Sequence, residues 1–102
     1  MQYIGYDELN LGRNFPSIKV ALEKESYPHK KDIVNFLRNG EIDIARASRK
    51  KDVFDGELIP DEILVMHDGD YYWSNELAWY VNKYNLRLPK EFESHILSKI
   101  DE

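Results

Sequence analysis

The sequence contains no cysteine among its 102 residues. Without thiols the chain forms neither a disulfide framework nor a zinc–thiolate site, and a cytoplasmic location is expected. Long apolar runs are also missing, so no membrane-spanning helix is predicted. The N-terminal sequence MQYIGYDELN lacks the basic start and apolar centre of a secretion signal. With 42% hydrophobic and 32% charged residues, the composition is typical of one folded domain over residues 1–102.

Positive charge is absent from the middle of the chain. Residues 52–82, here called the acidic segment, hold eight Asp or Glu and no Lys or Arg. Residues 1–51 hold ten basic and seven acidic side chains, and residues 83–102 hold four of each, which gives the formal net charge of -5. A concentrated negative field attracts basic partners and repels nucleic acid. A solvated face that keeps the protein soluble explains the charge count equally well.

No catalytic or metal-binding motif is present. His29, His67 and His95 lie in no metal-ligand spacing, the serines lie in no nucleophile-elbow pattern, and no glycine-rich phosphate loop occurs. The sequence HDGD at residues 67–70 could imitate a metal loop, but a hairpin turn explains the same residues. We therefore expect no metal, no cofactor and no enzymatic activity. The alternative is a small hydrolase or nuclease that uses His67 or His95 with nearby acids.

One basic run gives an argument for nucleic-acid binding. It comprises Arg46, Arg49, Lys50 and Lys51. Four cations in a loop are more often simply solvated, and the negative net charge opposes this function. We expect no nucleic-acid partner and no membrane partner.

The N-terminal half has a clear helical pattern followed by an alternating one. In YPHKKDIVNFLRNG, Ile33, Phe36 and Leu37 share one face of a helix that ends at Asn39-Gly40. EIDIARAS then alternates and predicts a strand. The preceding residues 17–25 fit a short helix or a strand.

The acidic segment predicts a β-hairpin. ILVMH precedes Asp68-Gly69 and DYYWS follows it, and Asp-Gly between two such runs is a strong turn signal. Ser74 is placed to cap a helix over residues 75–85, and Pro89 to open a last helix. We expect an α+β fold in which a small antiparallel sheet, with its hairpin at Asp68-Gly69, packs against an N-terminal helix and two C-terminal helices.

Aromatic residues around the hairpin are candidates for a binding surface. On a strand, Tyr71 and Trp73 face one side of the sheet and Tyr72 faces the other. In the helix over residues 75–85, Trp79 lies roughly opposite the buried stripe. It therefore either meets a second layer of the protein, for which the last helix is the candidate, or is exposed. Exposed Trp and Tyr surrounded by charge are typical of interface anchors.

A longer pattern in the second half of the chain provides a resemblance to a family. The pattern comprises Val53, Asp55-Gly56-Glu57, Ile59-Pro60, Asp68-Gly69, Tyr72-Trp73, Leu77-Ala78, Tyr80-Val81, Lys83-Tyr84, Leu88-Pro89 and Phe92. In this order of turns, strands and helices the chain resembles immunity proteins of bacterial contact-dependent growth inhibition systems, which are polymorphic-toxin systems. The resemblance implies a protein that binds and neutralises a cognate toxin.

The resemblance and the charge distribution together suggest which residues contact a partner. Toxin domains in such systems are often nucleases with cationic clefts, so an immunity protein would dock an acidic surface there and block substrate access. Acid–base pairing would accelerate association, and aromatic anchors would slow dissociation. The partner-binding candidates are acids and aromatics of the acidic segment: Asp55, Glu57, Asp61, Asp68, Asp70, Tyr72, Glu76 and Trp79. A protein that mimics nucleic acid for another target would use the same physics.

Overall fold

Four strands and three α-helices form the fold in the part of the chain that the computed structural model describes. The described residues are 2–9, 15–45, 49–60 and 62–100, with the backbone alone at residues 44 and 45. The elements are β1 (Gln2–Ile4), α1 (Lys30–Arg38), β2 (Glu41–Ala45), β3 (Leu64–His67), β4 (Tyr71–Ser74), α2 (Glu76–Tyr84) and α3 (Lys90–Ile100). A 3-10 turn at Ile18–Ala21 precedes α1. The predicted α+β class is confirmed.

The strands form one sheet in the order β1-β4-β3-β2. Strands β2, β3 and β4 are antiparallel neighbours, and the hairpin expected at Asp68-Gly69 joins β3 to β4. Gly69 adopts a φ of 97°, and the Asp68 Oδ1 accepts the N–H groups of Asp70 and Tyr71. These are the two contributions that Asp and Gly make to a turn.

Strand β1 makes the sheet mixed rather than purely antiparallel. It pairs in parallel with β4, with Gln2 beside Tyr71 and Ile4 beside Trp73. The sequence does not predict this strand, because three residues are too few to show a two-residue alternation. Strand β2 also departs from strict alternation, since its register shifts between Ile42 and Ile44 as in a β-bulge.

The helices cover one face of the sheet. Trp73 of β4 is fully buried there. Its Nε1 donates to the Leu37 carbonyl of α1 at 2.9 Å, and its ring packs against Phe92 of α3. Met66 of β3 pairs with Trp73 and is also buried. Full burial of such side chains contributes about 1.5–3 kcal/mol each.

Helix α2 has a different start from the one predicted. The N-cap is Asn75, and Ser74 is instead the last residue of β4. The Ser74 Oγ still accepts the Glu76 N–H at 3.4 Å. The Asn75 side chain makes no cap; it accepts the Leu64 N–H and donates to the Glu62 carbonyl. Asn75 thereby fastens the start of α2 to the segment that enters β3.

Helices α1 and α3 agree with their predicted patterns. Helix α1 ends at Arg38, with Asn39 as C-cap. Helix α3 follows Pro89 and buries Phe92 and Ile96, whereas Ile100 at its end is 37% exposed. No helix among the described residues is both long enough and apolar enough to cross a membrane.

Candidate functional site

The acidic segment begins in a closed loop between β2 and β3, here called the 51–58 loop. Lys51 and Leu58 form an isolated β-bridge at its base. Within the loop, the Asp52 N–H donates to the Glu57 carbonyl at 2.7 Å, and the Gly56 N–H donates back to the Asp52 carbonyl at 2.9 Å. Gly56 has a φ of 74°, which glycine adopts without strain. These bonds define a single loop conformation.

Asp52 fastens the loop to α2. Its side chain is only 2% exposed. The Oδ1 accepts the N–H groups of Phe54 and Asp55, and the Oδ2 accepts the Trp79 indole N–H and the Tyr84 hydroxyl, both at 2.8 Å. Burial raises the pKa of Asp52, but the hydrogen bonds outweigh burial and lower the pKa below its usual 3.8. The carboxylate is therefore a buried charge with its hydrogen-bonding capacity used.

Lys83 of α2 neutralises the acids at the tip of the same loop. Its Nζ lies 2.5 Å from the Asp55 Oδ2, 2.8 Å from the Glu57 Oε2 and 3.7 Å from the Asp52 Oδ2. The hydrogen bond from Lys83 lowers the pKa of Asp55, and the two acceptors raise the pKa of Lys83. A cation from outside the acidic segment thus offsets part of its charge.

Apolar side chains project from the 51–58 loop into solvent. Val53, Phe54 and Leu58 are 45%, 36% and 48% exposed. The Phe54 ring also packs against Tyr84, with ring centroids 4.8 Å apart. The acids of this loop were predicted as site residues and these three apolar residues were not, although the sequence VF between two Asp residues of a turn is a visible signal. Exposed apolar groups on an ordered backbone are typical of binding surfaces.

A pocket of about 440 Å³ lies beside the loop. Apolar side chains of Ile59, Leu64 and Met66 form part of its lining, together with Trp79. Trp79 is half-buried and belongs to both features, because its indole N–H bonds to Asp52 of the loop. Trp79 thus meets a second layer of the protein, as one of the two predicted alternatives has it, but that layer is the 51–58 loop rather than the last helix. Trp79 bonds to the 51–58 loop through its indole N–H and also lines the pocket.

Glu76 is the buried acid of this pocket. Its side chain is 1% exposed, and its Oε1 accepts the Lys50 Nζ at 3.3 Å. Burial raises the pKa of Glu76 above its usual 4.5 by more than Lys50 lowers it. Among the described residues, the Glu76 Oε2 is the one buried side-chain polar atom without a hydrogen-bond partner. A buried oxygen in this state costs about 1–3 kcal/mol, so a donor placed beside it would be favoured.

A second polar group connects the hairpin to α3. The His95 Nε2 lies 2.5 Å from the Asp68 Oδ2 and 3.8 Å from the Asp70 Oδ2, and the His95 ring packs against Tyr71. Burial raises the pKa of Asp68, but the hydrogen bonds from His95 and the turn N–H groups lower it overall. The ligand atoms of these three polar side chains lie within 4.8 Å of one another, a set that could hold a divalent cation. The hydrogen bonds already explain the arrangement as a structural connection.

His67 does not join this group. Its Nε2 lies 3.6 Å from the Glu41 Oε2. Its ring lies 6.1 Å from the Tyr72 ring, on the sheet face that the helices leave uncovered. The enzymatic alternative needs the two histidines to converge, but the pocket of about 320 Å³ that His67 lines does not include His95.

The predicted partner-binding residues lie in four places. Asp55 and Glu57 lie in the 51–58 loop, and Glu76 and Trp79 line the pocket. Asp68 and Asp70 lie at the hairpin, and Tyr72 lies on the sheet face that the helices leave uncovered. Asp61 lies outside the described residues. The loop and the pocket adjoin each other, and the other two places are separate from them. Counting acids in the sequence therefore overstates the free negative charge, because most of the described acids have internal partners.

The basic run is also partly used inside the protein. Lys50 donates to the Glu76 carboxyl and to the Leu9 carbonyl, and Lys51 forms the bridge at the base of the 51–58 loop. Arg46 lies outside the described residues. The Lys50 cation therefore has a structural explanation that involves no nucleic acid, whereas the Lys51 bridge involves its backbone and the Arg49 side chain is exposed.

Comparison with known proteins gives no relative. No family model, curated protein or solved structure matches the chain. A function must therefore be argued from the fold, the loop and the pocket.

Proposed function

We propose that this protein is an immunity protein that binds and neutralises a cognate toxin, and that the 51–58 loop is the centre of the contact. The observation that supports this most is the loop itself, in which exposed apolar side chains and acids share a backbone held by Asp52. A loop ordered before binding loses little conformational entropy in the complex. The toxin-neutralising class comes from the resemblance of the second half of the chain.

The charge of the protein favours a basic partner. The net charge is -5, and Glu62 and Asp70 are exposed acids near the pocket and at the hairpin. A partner with surface Arg or Lys would be attracted over a distance. Its cations could also share Asp55 and Glu57 with Lys83 at the contact. A cationic nuclease domain in the cytoplasm fits this description, and covering its cleft would block substrate without any chemistry by the immunity protein.

The first test combines capture with rescue. The complete protein is used as bait in a lysate of its source bacterium at low and at high salt, and each captured basic protein is then expressed alone and with the bait. We expect one captured protein to arrest growth alone and to be harmless when co-expressed. A purified protein that cleaves RNA or DNA, and loses this activity in His67→Ala or His95→Ala, would contradict the proposal and support the small hydrolase or nuclease.

The loop is tested with matched apolar variants. Val53→Ala and Phe54→Ala should each weaken toxin binding, by about tenfold or more for Phe54, because they remove apolar contact at the centre of the interface. Val20→Ala is the matched control, since Val20 is 82% exposed in the 3-10 turn. Binding is measured by calorimetry, with thermal unfolding of each variant recorded in parallel. Equal affinities for the three variants and the wild type would place the contact elsewhere.

A further inference from the structure

Two carboxyl groups that line the pocket beside the 51–58 loop have unused capacity to accept hydrogen bonds. The Glu76 Oε2 is buried without a partner. Glu62, which also lines the pocket, is exposed and has no ion pair with any described residue. Ionised carboxylates accept hydrogen bonds and do not donate them. A ligand that satisfies this pocket must therefore bring donors.

The other residues that line the pocket favour a ligand whose hydrogen-bond donor lies at the end of an apolar chain. Ile59, Leu64 and Met66 supply an apolar wall. Trp79 supplies an aromatic ring that already attracts a cation, because the Lys83 Nζ lies 5.0 Å from its centroid. An Arg side chain combines a flat cation with several N–H donors and a stem of methylene groups, and guanidinium groups pair with both carboxylates and aromatic rings.

We infer that this pocket binds one guanidinium group, which in the complex proposed above is an Arg side chain of the toxin. The inference depends on the proposed function only for the source of that Arg. A volume of about 440 Å³ is ample for one side chain. Among the described lining residues, Arg38 is the single cation, and it is exposed, whereas Glu62 and Glu76 provide two carboxyl groups, of which Glu76 also pairs with Lys50.

The test uses a probe that needs no toxin. N-acetyl-arginine amide is titrated into the ¹⁵N-labelled protein, and the indole N–H signal of Trp79 is followed by NMR. The indole of Trp73, which is buried in the core and bonded to Leu37, is the internal reference. We expect a saturable shift of Trp79 alone. N-acetyl-citrulline amide keeps the stem but has no charge, and it should bind at least about tenfold more weakly; N-acetyl-lysine amide should fall between the two.

Two acid variants and one control locate the site. Glu62→Gln and Glu76→Gln should each weaken the arginine probe by about fivefold or more, and Glu91→Gln on the exposed side of α3 should not change it. Glu76 is buried, so its variant is first checked by thermal unfolding; Glu62 is exposed, and its variant tests the inference even if the other does not fold. Equal binding of the citrulline probe, or a Trp79 shift that both Glu variants leave unchanged, would overturn the inference.

The same variants separate this inference from the proposed function. If the arginine probe binds the pocket but no captured protein is neutralised, the pocket stands and the immunity function fails. If a toxin is neutralised and its affinity is unaffected by Glu62→Gln and Glu76→Gln, the immunity function stands and the pocket inference fails.

Discussion

Replacing Asp52 with Ala should release the 51–58 loop from α2 and destabilise the whole domain. Four hydrogen bonds end on this one carboxylate, two from loop N–H groups and one each from Trp79 and Tyr84. Asp52 is 2% exposed, so the carboxylate that accepts these four bonds is buried. The 51–58 loop is also the proposed centre of the toxin contact, so the hydrogen bonds to Asp52 should affect binding as well as stability.

The expected cost follows from the kind of hydrogen bond that is lost. A hydrogen bond to a charged group contributes about 1.5–3 kcal/mol. The four contributions will not add fully, because Trp79 and Tyr84 are half-buried and water can reach them in the variant. We expect Asp52→Ala to lower the free energy of unfolding by about 3–4 kcal/mol, similar to breaking a buried ion pair. Asp52→Asn keeps an acceptor for the loop N–H groups and should cost about 1–2 kcal/mol.

Urea unfolding followed by Trp fluorescence measures both values, and its pH dependence adds a second check. Because the folded pKa of Asp52 lies below its usual 3.8, its stabilising contribution is complete above that value. The contribution is lost as the pH falls through the folded pKa. The deficit of Asp52→Asn relative to wild type should therefore be largest near neutral pH and shrink in acid.

A matched control is Asp7→Ala, since Asp7 is exposed and its side chain makes no hydrogen bond or ion pair with any described residue. It should change stability by no more than about 0.5 kcal/mol. The reasoning would be refuted if Asp52→Ala cost less than about 1 kcal/mol, or if the deficit of Asp52→Asn were the same in acid as at neutral pH.

Two further changes test the core and the hairpin. Gly40→Ala places a Cβ 2.6 Å from the Trp73 ring, so thermal and urea unfolding should show a loss of about 1–3 kcal/mol; a variant as stable as wild type would show that the backbone shifts there without cost. Asp68→Ala removes the contact to His95 and the acceptor of the turn N–H groups, with an expected loss of about 2 kcal/mol near neutral pH. Because the folded pKa of Asp68 is lowered, that loss should diminish as acid protonates the wild-type carboxylate, and a loss independent of pH would contradict this explanation.

Elements with local signals were predictable from the sequence. The Asp68-Gly69 turn and the end of α1 near Asn39-Gly40 each depend on a few adjacent residues. The structure also shows what such signals omit. The hairpin loop has three residues, 68–70, rather than two, and β1 depends on a parallel partner in β4 from the other end of the chain. A pairing over that separation leaves no mark in a three-residue sequence.

The candidate site was only partly predictable, because charge counts do not identify partners. The acidic segment was visible, but Lys83 and Lys50, which form ion pairs with four of its acids, both lie outside it. The helical spacing correctly separated Trp79 from the buried stripe. It could not show that a buried carboxylate, Asp52, would receive the Trp79 indole N–H. The charge count therefore assigned too many side chains of this segment to solvent.

Strand β1 has a protective consequence for the whole molecule. β4 would be an edge strand without it, and its backbone hydrogen-bonding groups would be open to a strand of another molecule. Gln2–Ile4 pair with that edge, and Ile4, which is 2% exposed, anchors the strand in the core. A version of the protein that lacks these residues would therefore be prone to edge-to-edge aggregation. A bulky protein fused directly to Gln2 would disturb the pairing of β1 with β4 and expose the same edge.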